Sequence, residues 1–455
     1  MKKKCSIIKT VLMILMCWAF IITSYSSANE NMLVATKEDN TIDSFSESEK
    51  KSSINSIMTP DGLLLYYNGA DLSEIYDENN PTYIYDIDDF DTLEEYYKYC
   101  DSSNIKKMPK MQQRSITDPP STTVTGICKF ELTHNNAIQS FAYDGSYIYI
   151  SQAYVNLTFN GVSYPRDPEK PDNLVLITKC KKKAGDSKTY VPDSYMLLIG
   201  VGHGQTLEVY KHNNKKYLLI SCTGQKLPKG SKDRWWSTQL GRVEFTPNAV
   251  IENENIKRLI HVECIAPNSS NIGDVKRVDG ALSESGKKLL IWVRPRTQAK
   301  DMYAGFNFDT INTLWDSCDE LDFSSNAQLQ HSKEFTFFKD FETEESMQGL
   351  SMSNVNSHKY TIFNASGNES LETNNYLFSY ESSGSGESLK GAKIDDTGVW
   401  SLCNKDYKKL NILAEIEGVK LKSGYLHFVL RDAQNQIGKV QVLAKIAKSK
   451  LKKIN

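Results

Sequence analysis

The sequence predicts an all-β protein. Three observations carry that expectation: an aromatic-rich, proline-poor composition, a repeat of strand pairs along most of the chain, and turn residues in the middle of each pair. Tyr 24 and Phe 17 stand against only 13 Pro, and aromatic side chains suit the pleated surface of strands. Forty per cent of residues are hydrophobic and 24% charged, which is ordinary globular composition and excludes a wholly disordered or collagen-like chain. At 455 residues the chain is long enough for two to four domains, or for one large repeat domain with an extension.

The repeat sets a polar residue and a small residue before a short apolar strand, a turn and a stronger apolar strand. It reads QSFAYDGSYIYIS from Gln139, QTLEVYKHNNKKYLLIS from Gln205, DGALSESGKKLLIWV from Asp279, QGLSMSNVNSHKYTIFN from Gln348 and EGVKLKSGYLHFVL from Glu417. Successive starts lie 66 to 74 residues apart. The turns fall at Asp144-Gly145, Asn213-Asn214, Ser285-Gly286, Asn356-Ser357 and Ser423-Gly424, pairs that signal hairpins between strand-like runs. Two further β-like segments follow the first hairpin, NLVLITKC from Asn173 and YMLLIGV from Tyr195, which makes four strands per unit. Five four-stranded antiparallel units predict a five-bladed β-propeller with long loops, with an array of β-sandwiches as the rival arrangement. The fifth unit lacks its last strand, because KVQVLAKI from Lys439 is the last strong candidate. GICKFELTH from Gly126 alternates apolar Cys128, Phe130 and Leu132 with polar Lys129, Glu131 and Thr133. It is expected to complete that unit and remove an exposed sheet edge.

Residues 1–28 read as a secretory signal peptide. Lys2, Lys3, Lys4 and Lys9 form a positive start, Val11 to Ile22 an apolar stretch, and Ser26-Ser27-Ala28 a small-residue cleavage site. The apolar run is short for a membrane span. Secretion and an extracellular location are expected, with no transmembrane span. Residues 29–120 form an acidic extension and linker. Between Asn29 and Ile105 there are 18 acidic and four basic residues, so residues 106–455 carry +8 within a chain of net −2. The extension starts with a polar run expected to be disordered, and its charge suggests docking against a basic face, or equally a solubilising tail. Residues 121–455 are assigned to the propeller. Seven cysteines follow the signal with no C-x-x-C spacing, so they are read as small buried hydrophobes rather than zinc ligands or disulfides. The balanced charge gives no reason to expect nucleic acid as a partner, and nothing calls for a cofactor or metal.

HGQTLEVY from His203 and WWSTQLGRVEF from Trp235 resemble motifs of the helveticin J family of large, heat-labile bacteriocins, as do SMQGLSM from Ser346 and AEIEGV from Ala414. The resemblance covers roughly residues 121–455 and leaves out the acidic extension. It implies a five-bladed propeller. It extends more faintly to receptor-binding propellers of small staphylococcal phages and to a teichoic-acid-associated protein, which implies recognition of Gram-positive wall polymers. It carries over no catalytic residues.

Gln139, Gln205, Asp279, Gln348 and Glu417 are expected to start the innermost strands and ring the central channel. There they either grip a polyol or an ion through amide and carboxylate groups, or bridge neighbouring blades. His203, Glu208, Thr238 and Gln239 complete the most distinctive polar set. Trp235, Trp236 and Arg242 either meet a sugar ring or a phosphate, or pack between blades. No H-E-x-x-H, G-x-S-x-G or Walker A motif is present. The leading expectation is a secreted, monomeric, bacteriocin-like propeller that recognises an envelope receptor or cell-wall polymer of Gram-positive bacteria. The rivals are a non-lethal glycan-binding or teichoic-acid-binding propeller and a wall-polymer glycosidase or lyase. The lysines around Cys180 and the tail from Lys445 read as solvated faces, or as weak attraction to anionic wall polymers.

Overall fold

The computed structural model describes residues 56–58, 64–66, 119–134, 136–164, 173–225, 235–266, 271–296, 300–339, 346–354, 359–367, 375–383, 386–410, 412–432 and 441–454. Residues 1–55, most of the acidic extension and the expected turn at Asn356-Ser357 lie outside them. The chain divides into two units, Met1–Gln112 and Gln113–Asn455. In the first, Ser56–Met58 pairs antiparallel with Leu64–Tyr66.

The second unit is built almost wholly from strands. Four antiparallel strands form the first sheet, Ile138–Asp144, Tyr147–Tyr154, Leu174–Lys183 and Asp186–Ile199, with a small separate hairpin, Leu157–Phe159 with Val162–Tyr164, between the second and third. The second contains Leu207–His212, Lys215–Gly224, Ser237–Glu244 and Lys257–Ile260. The third contains Val275–Leu282, Lys288–Pro295, Asp301–Asn307 and Lys333–Lys339. The fourth contains Ser346–Met352, Tyr360–Gly367, Tyr376–Ser383 and Gly386–Asp395. The fifth contains Ala414–Lys422, Tyr425–Asp432 and Gln441–Ala447, and its fourth strand is Thr125–Phe130 from the start of the unit. The expected completion by the segment at Gly126 is therefore observed, with Leu443 opposite Cys128 and Gln441 opposite Phe130. That strand makes a short parallel contact with the first sheet at Thr189 and Tyr190. The outer strand of the fourth sheet is covered by Ser121–Thr123 and Lys452–Lys453, so its edge is not left open.

The sheets follow one another in a cycle. The first strand of each lies beside the first strand of the next, and that of the fifth lies beside that of the first. Each neighbouring pair encloses its own apolar cluster. Ala142, Tyr149, Leu218 and Ile220 lie between the first and second sheets. Leu219, Leu240, Val278 and Ile291 join the second and third, and Trp292, Tyr303, Met347 and Tyr360 the third and fourth. Phe363, Leu377, Ile416 and Phe428 join the fourth and fifth; Phe130, Leu443, Phe141 and Ile150 close the cycle. Burial of such side chains contributes about 1.5–3 kcal/mol each relative to exposure.

The glycine at this position in the later repeats has a packing reason. A Cβ at Gly349 would lie 2.6 Å from the backbone of Gly418, so the first strands of the fourth and fifth sheets approach too closely for a side chain there. The polar residue before it has one too. Ile138 and Ser140 pair with Gln152 and Ser151, which skips Gln139, and Met347 and Gly349 pair with Ser366 and Ala365, which skips Gln348. Both glutamines thus sit at β-bulges, which re-aim a side chain.

Two α-helices, Phe308–Ser317 and Ala327–His331, interrupt the third sheet before its last strand, where a plain long loop was expected. Asn307 caps the first by accepting from the Thr310 N–H at 3.2 Å. Phe308, Ile311, Asn312 and Trp315 form its buried face, at the spacing of a helical stripe. Among the described residues no helix is long and apolar enough to cross a membrane. Cys128, Cys180, Cys222, Cys264, Cys318 and Cys403 are all free thiols. Burial pushes Cys222 up to about 12, so it is held as an uncharged thiol.

Candidate functional site

Strand direction sorts the loops. Within each sheet, the loops after first and third strands lie at one end, and those after second and fourth strands at the other. At the first end the hairpins are tied from sheet to sheet. Lys216 pairs with Asp144, the Leu282 N–H donates to Glu208 at 3.1 Å, that of Ser285 to Asn354 at 2.7 Å, and that of Leu421 to the Ser351 hydroxyl at 2.9 Å. Tyr143 bonds His427 across the closing seam. The opposite end holds both distinctive motifs: the loop 200–206 follows the last strand of the first sheet, and Gln225 to Trp236 joins the second and third strands of the second sheet.

Glycines shape the first motif. Gly202 and Gly204 have φ of +105° and +81°, in the region that costs a side chain dearly. A Cβ on Gly202 would lie 1.9 Å from the Ser237 hydroxyl. His203 is held between them, its ring centroid 4.8 Å from that of Trp236. The Arg277 guanidinium lies 4.0 Å over the Trp236 ring and 5.3 Å from that of Trp292, within cation–π range. The second motif enters under backbone strain: Thr223 and Trp235 have φ of +58° and +75°, uncommon for a β-branched or bulky residue. The Trp235 N–H donates to Gln225 and the Gln225 N–H to Trp236, each at 3.0 Å.

Below this mouth the ring centre holds three sets of polar contacts. Gln205 donates through Nε2 to Gln348 Oε1 at 2.7 Å, and Gln348 donates to Glu415 Oε1 at 3.0 Å. The first contact joins the second and fourth sheets, which are not neighbours in the cycle. Arg431 pairs with Glu415 and lies 3.5 Å from Glu417. Asp279 receives Arg277 Nε at 2.9 Å and the Thr206 hydroxyl at 3.0 Å, and Arg277 Nη2 lies 2.8 Å from its carboxylate as part of the ion pair. Lys420 and Glu208 pair at 2.6 Å. Gln139, Gln205, Asp279, Gln348 and Glu417 are all buried, at 2–7% exposure. They do not all start strands: Gln205 precedes its strand by two residues, whereas Asp279 and Glu417 lie well inside theirs. Gln139 makes no side-chain hydrogen bond among the described residues, so it takes no part in these contacts.

The electrostatics follow from this enclosure. Burial, helped by the Arg277 and Arg431 charges, holds His203 down at about 4, so its imidazole is neutral near pH 7. Burial pushes the Asp279 carboxyl up, against the pull of Arg277 and the Thr206 hydroxyl. The arrangement offers fixed hydrogen-bond donors and acceptors with its charges paired. Among the described residues no group of three or more His, Cys, Asp or Glu side chains is placed to hold a metal ion.

His203, Gln205, Trp236, Asp279, Gln348 and Glu417 thus converge with one another. Gln239 instead accepts from the Thr223 hydroxyl at 2.7 Å beside the strained strand end, and Thr238 donates to the Thr223 carbonyl at 3.1 Å. Arg242 is placed elsewhere. It is 3% exposed, donates to Asp316 at 2.9 Å and to the Asn312 carbonyl at 3.2 Å, and lies over the Tyr217 ring at 4.7 Å. It anchors the inserted helix. Sequence reasoning missed Arg277, Glu415 and Arg431. Arg277 and Glu415 stand two residues before Asp279 and Glu417, the same-face spacing of a strand, and that spacing was the available signal.

A family model described as bacteriocin helveticin-J matches residues 168–384. No curated protein matches the chain. Among solved structures, the xyloglucan PUL GH43B of Bacteroides ovatus is 11% identical over 71% of this chain and 53% of its own, with a TM-score of 0.33. A mannose phosphorylase from Leishmania mexicana is 11% identical over 72% of this chain and 89% of its own, at 0.35. The β-propeller domain of the Trilobed protease from Pyrococcus furiosus is 10% identical over 65% and 79%, at 0.27. This chain thus spans about half the length of the first of these, and at such scores none bears on its fold or activity. Residues 168–384, which hold the motifs at His203 and Trp235, carry the match to the helveticin-J family that those motifs implied.

Proposed function

We propose that the chain is a secreted, bacteriocin-like five-bladed β-propeller that recognises the envelope of Gram-positive bacteria through the His203 end of its ring centre. Residues 1–28 act as the export signal, 29–120 as an extension and 121–455 as the propeller. One observation carries the recognition site: the two motifs that mark the family converge at one mouth of the ring, His203 against Trp236, above buried polar contacts. The cycle of five sheets with a cluster between each neighbouring pair supports the propeller. Its closing strand comes from the opposite terminus of the unit, which joins the ring by hydrogen bonds where the covalent chain cannot.

A second feature fits an anionic envelope. Lys445, Lys448, Lys450, Lys452 and Lys453 form no ion pair among the described residues, and Lys445 lies 4.5 Å over the Tyr425 ring. Unpaired lysines attract a polyanion by long-range charge. The test uses purified residues 29–455 against a panel of Gram-positive strains and their isolated walls. Binding to walls together with growth inhibition of at least one strain is expected. Wall binding without any loss of viability would favour a non-lethal wall-binding propeller, and a folded protein that neither binds nor inhibits would overturn the reading. Release of soluble fragments from walls would instead favour a glycosidase or lyase.

A further inference from the structure

We infer that the His203–Gln205 end of the ring centre takes an uncharged, hydroxyl-bearing unit of its ligand, a sugar or polyol, and not a phosphate or carboxylate. This rests on the proposal that the chain binds envelope polymer, and it assigns the part of that polymer which enters the ring.

The first ground is the polarity of the buried amide chain. The Glu415 carboxylate accepts and cannot donate, so Gln348 must turn its NH2 group toward it. Gln348 therefore presents its oxygen to Gln205, and Gln205 must answer with its own NH2 group. That leaves Gln205 Oε1 facing away from the chain, buried and with no hydrogen-bond partner. An unsatisfied buried acceptor costs about 1–3 kcal/mol, and a donor from a ligand removes that cost. Two residues earlier, neither ring nitrogen of His203 makes a hydrogen bond among the described residues. A neutral imidazole offers one donor and one acceptor. A hydroxyl is the group that both donates and accepts without charge, and a sugar or polyol carries several.

The second ground is charge. Each cation of these contacts already has a carboxylate: Arg277 has Asp279, Arg431 has Glu415 and Glu417, and Lys420 has Glu208. Three cations against four carboxylates give a formal charge of −1. An anion entering there would lose its water and meet no uncompensated positive charge, and an unpaired buried charge is far costlier than a buried hydroxyl. The phosphate or carboxylate groups of the same polymer have the lysines of the C-terminal segment available instead.

The experiment uses the full exported chain with isotope-labelled histidine and follows the ring signals of His203. The probes are N-acetylglucosamine, ribitol and glycerol as neutral ligands and glycerol 3-phosphate as the anion, at matched concentrations and ionic strength. At least one neutral probe is expected to shift the His203 signals saturably, and glycerol 3-phosphate to leave them unmoved. Gln205→Leu is expected to weaken the neutral probe at least tenfold, and the wild-type titration stands even where that variant folds poorly. A saturable shift with glycerol 3-phosphate alone, no shift with any neutral probe, or undiminished binding by a folded Gln205→Leu would each overturn the inference. Sedimentation with isolated walls is measured in parallel. Wall binding without a neutral-probe shift would sink this inference and leave the envelope reading standing, whereas a neutral-probe shift without wall binding would do the reverse.

Discussion

Replacement of Phe130 by Ala tests whether the closing strand holds the whole ring or only one sheet. Phe130 is 2% exposed and sits on the fourth strand of the fifth sheet, opposite Gln441. Its ring lies 6.2 Å from that of Tyr190 in the first sheet. It shares a cluster with Ile138, Phe141 and Ile148 of the first sheet and Val429 and Leu443 of the fifth. One side chain thus fills the seam from both sides. Truncating a buried Phe to Ala costs about 3–5 kcal/mol through lost transfer energy and the cavity left behind. A large domain loses roughly 2 °C of melting temperature per kcal/mol, so the expected fall is about 6–10 °C. If closure is cooperative, calorimetry shows one transition displaced as a whole, and hydrogen exchange accelerates in all five sheets. A fall of less than about 2 °C, or a split transition with lost protection only in the fifth sheet, would refute the reasoning.

Four further outcomes are expected. Arg277→Ala strips the counter-ion from buried Asp279 and should cost about 3–5 kcal/mol in denaturant melts, with Arg277→Ala/Asp279→Asn recovering part of it. His203 titrates near 4 when folded and near 6.5 when unfolded, so the unfolded chain binds the extra proton. Stability is therefore expected to fall by up to about 3 kcal/mol as pH drops from about 6.5 to about 4, a slope that His203→Gln should flatten in melts across that range. Replacing Lys448, Lys450, Lys452 and Lys453 by Gln should weaken adsorption to anionic walls several-fold at ~0.1 M salt. It should differ little from wild type at ~1 M, where the Debye length is about 3 Å. Arg242→Ala should cost about 1–3 kcal/mol by releasing Asp316 and the inserted helix, yet leave wall binding unchanged, which pull-downs with the folded variant would check.

Much of the sheet arrangement was legible because its causes are local. The runs at Gln139, Gln205, Asp279, Gln348 and Glu417 alternate and turn as hairpins must, and they fall on observed strand pairs. The closing strand was legible from a deficit: the fifth unit lacked a strand, and the segment at Gly126 had a spare one. The helix Phe308–Ser317 escaped notice because its buried stripe is short and includes Asn312, a polar residue that earns burial only by holding Arg242 and Tyr210. Arg242 was grouped with the Trp235 motif because it is near in sequence. Within the strand Ser237–Glu244 it lies toward the hairpin-tied end, away from His203, and nothing in the local pattern says which end of the sheet its side chain serves.

The repeat's starting residues show why such a degenerate pattern survives in a ring. The first strands converge on the centre, so the position facing the neighbouring backbone must be small, as at Gly349 and Gly418. The residue before it is set at a bulge at Gln139 and Gln348, and at Gln348 it is polar and satisfies its neighbours Gln205 and Glu415 without being an isolated charge. An amide meets both demands. Where a repeat places a carboxylate there instead, the cation comes from nearby: Arg277 two residues before Asp279, and Arg431 from the paired strand for Glu417. The identity of the residue is free to drift so long as charge is balanced and each donor finds an acceptor. Two repeat starts depart from this pattern: the Gln139 side chain makes no hydrogen bond among the described residues, and Gln205 Oε1 is buried without a donor. Of the two, Gln205 Oε1 stands at the end of the amide chain, two residues from His203, and it is there that the proposed ligand places a hydroxyl.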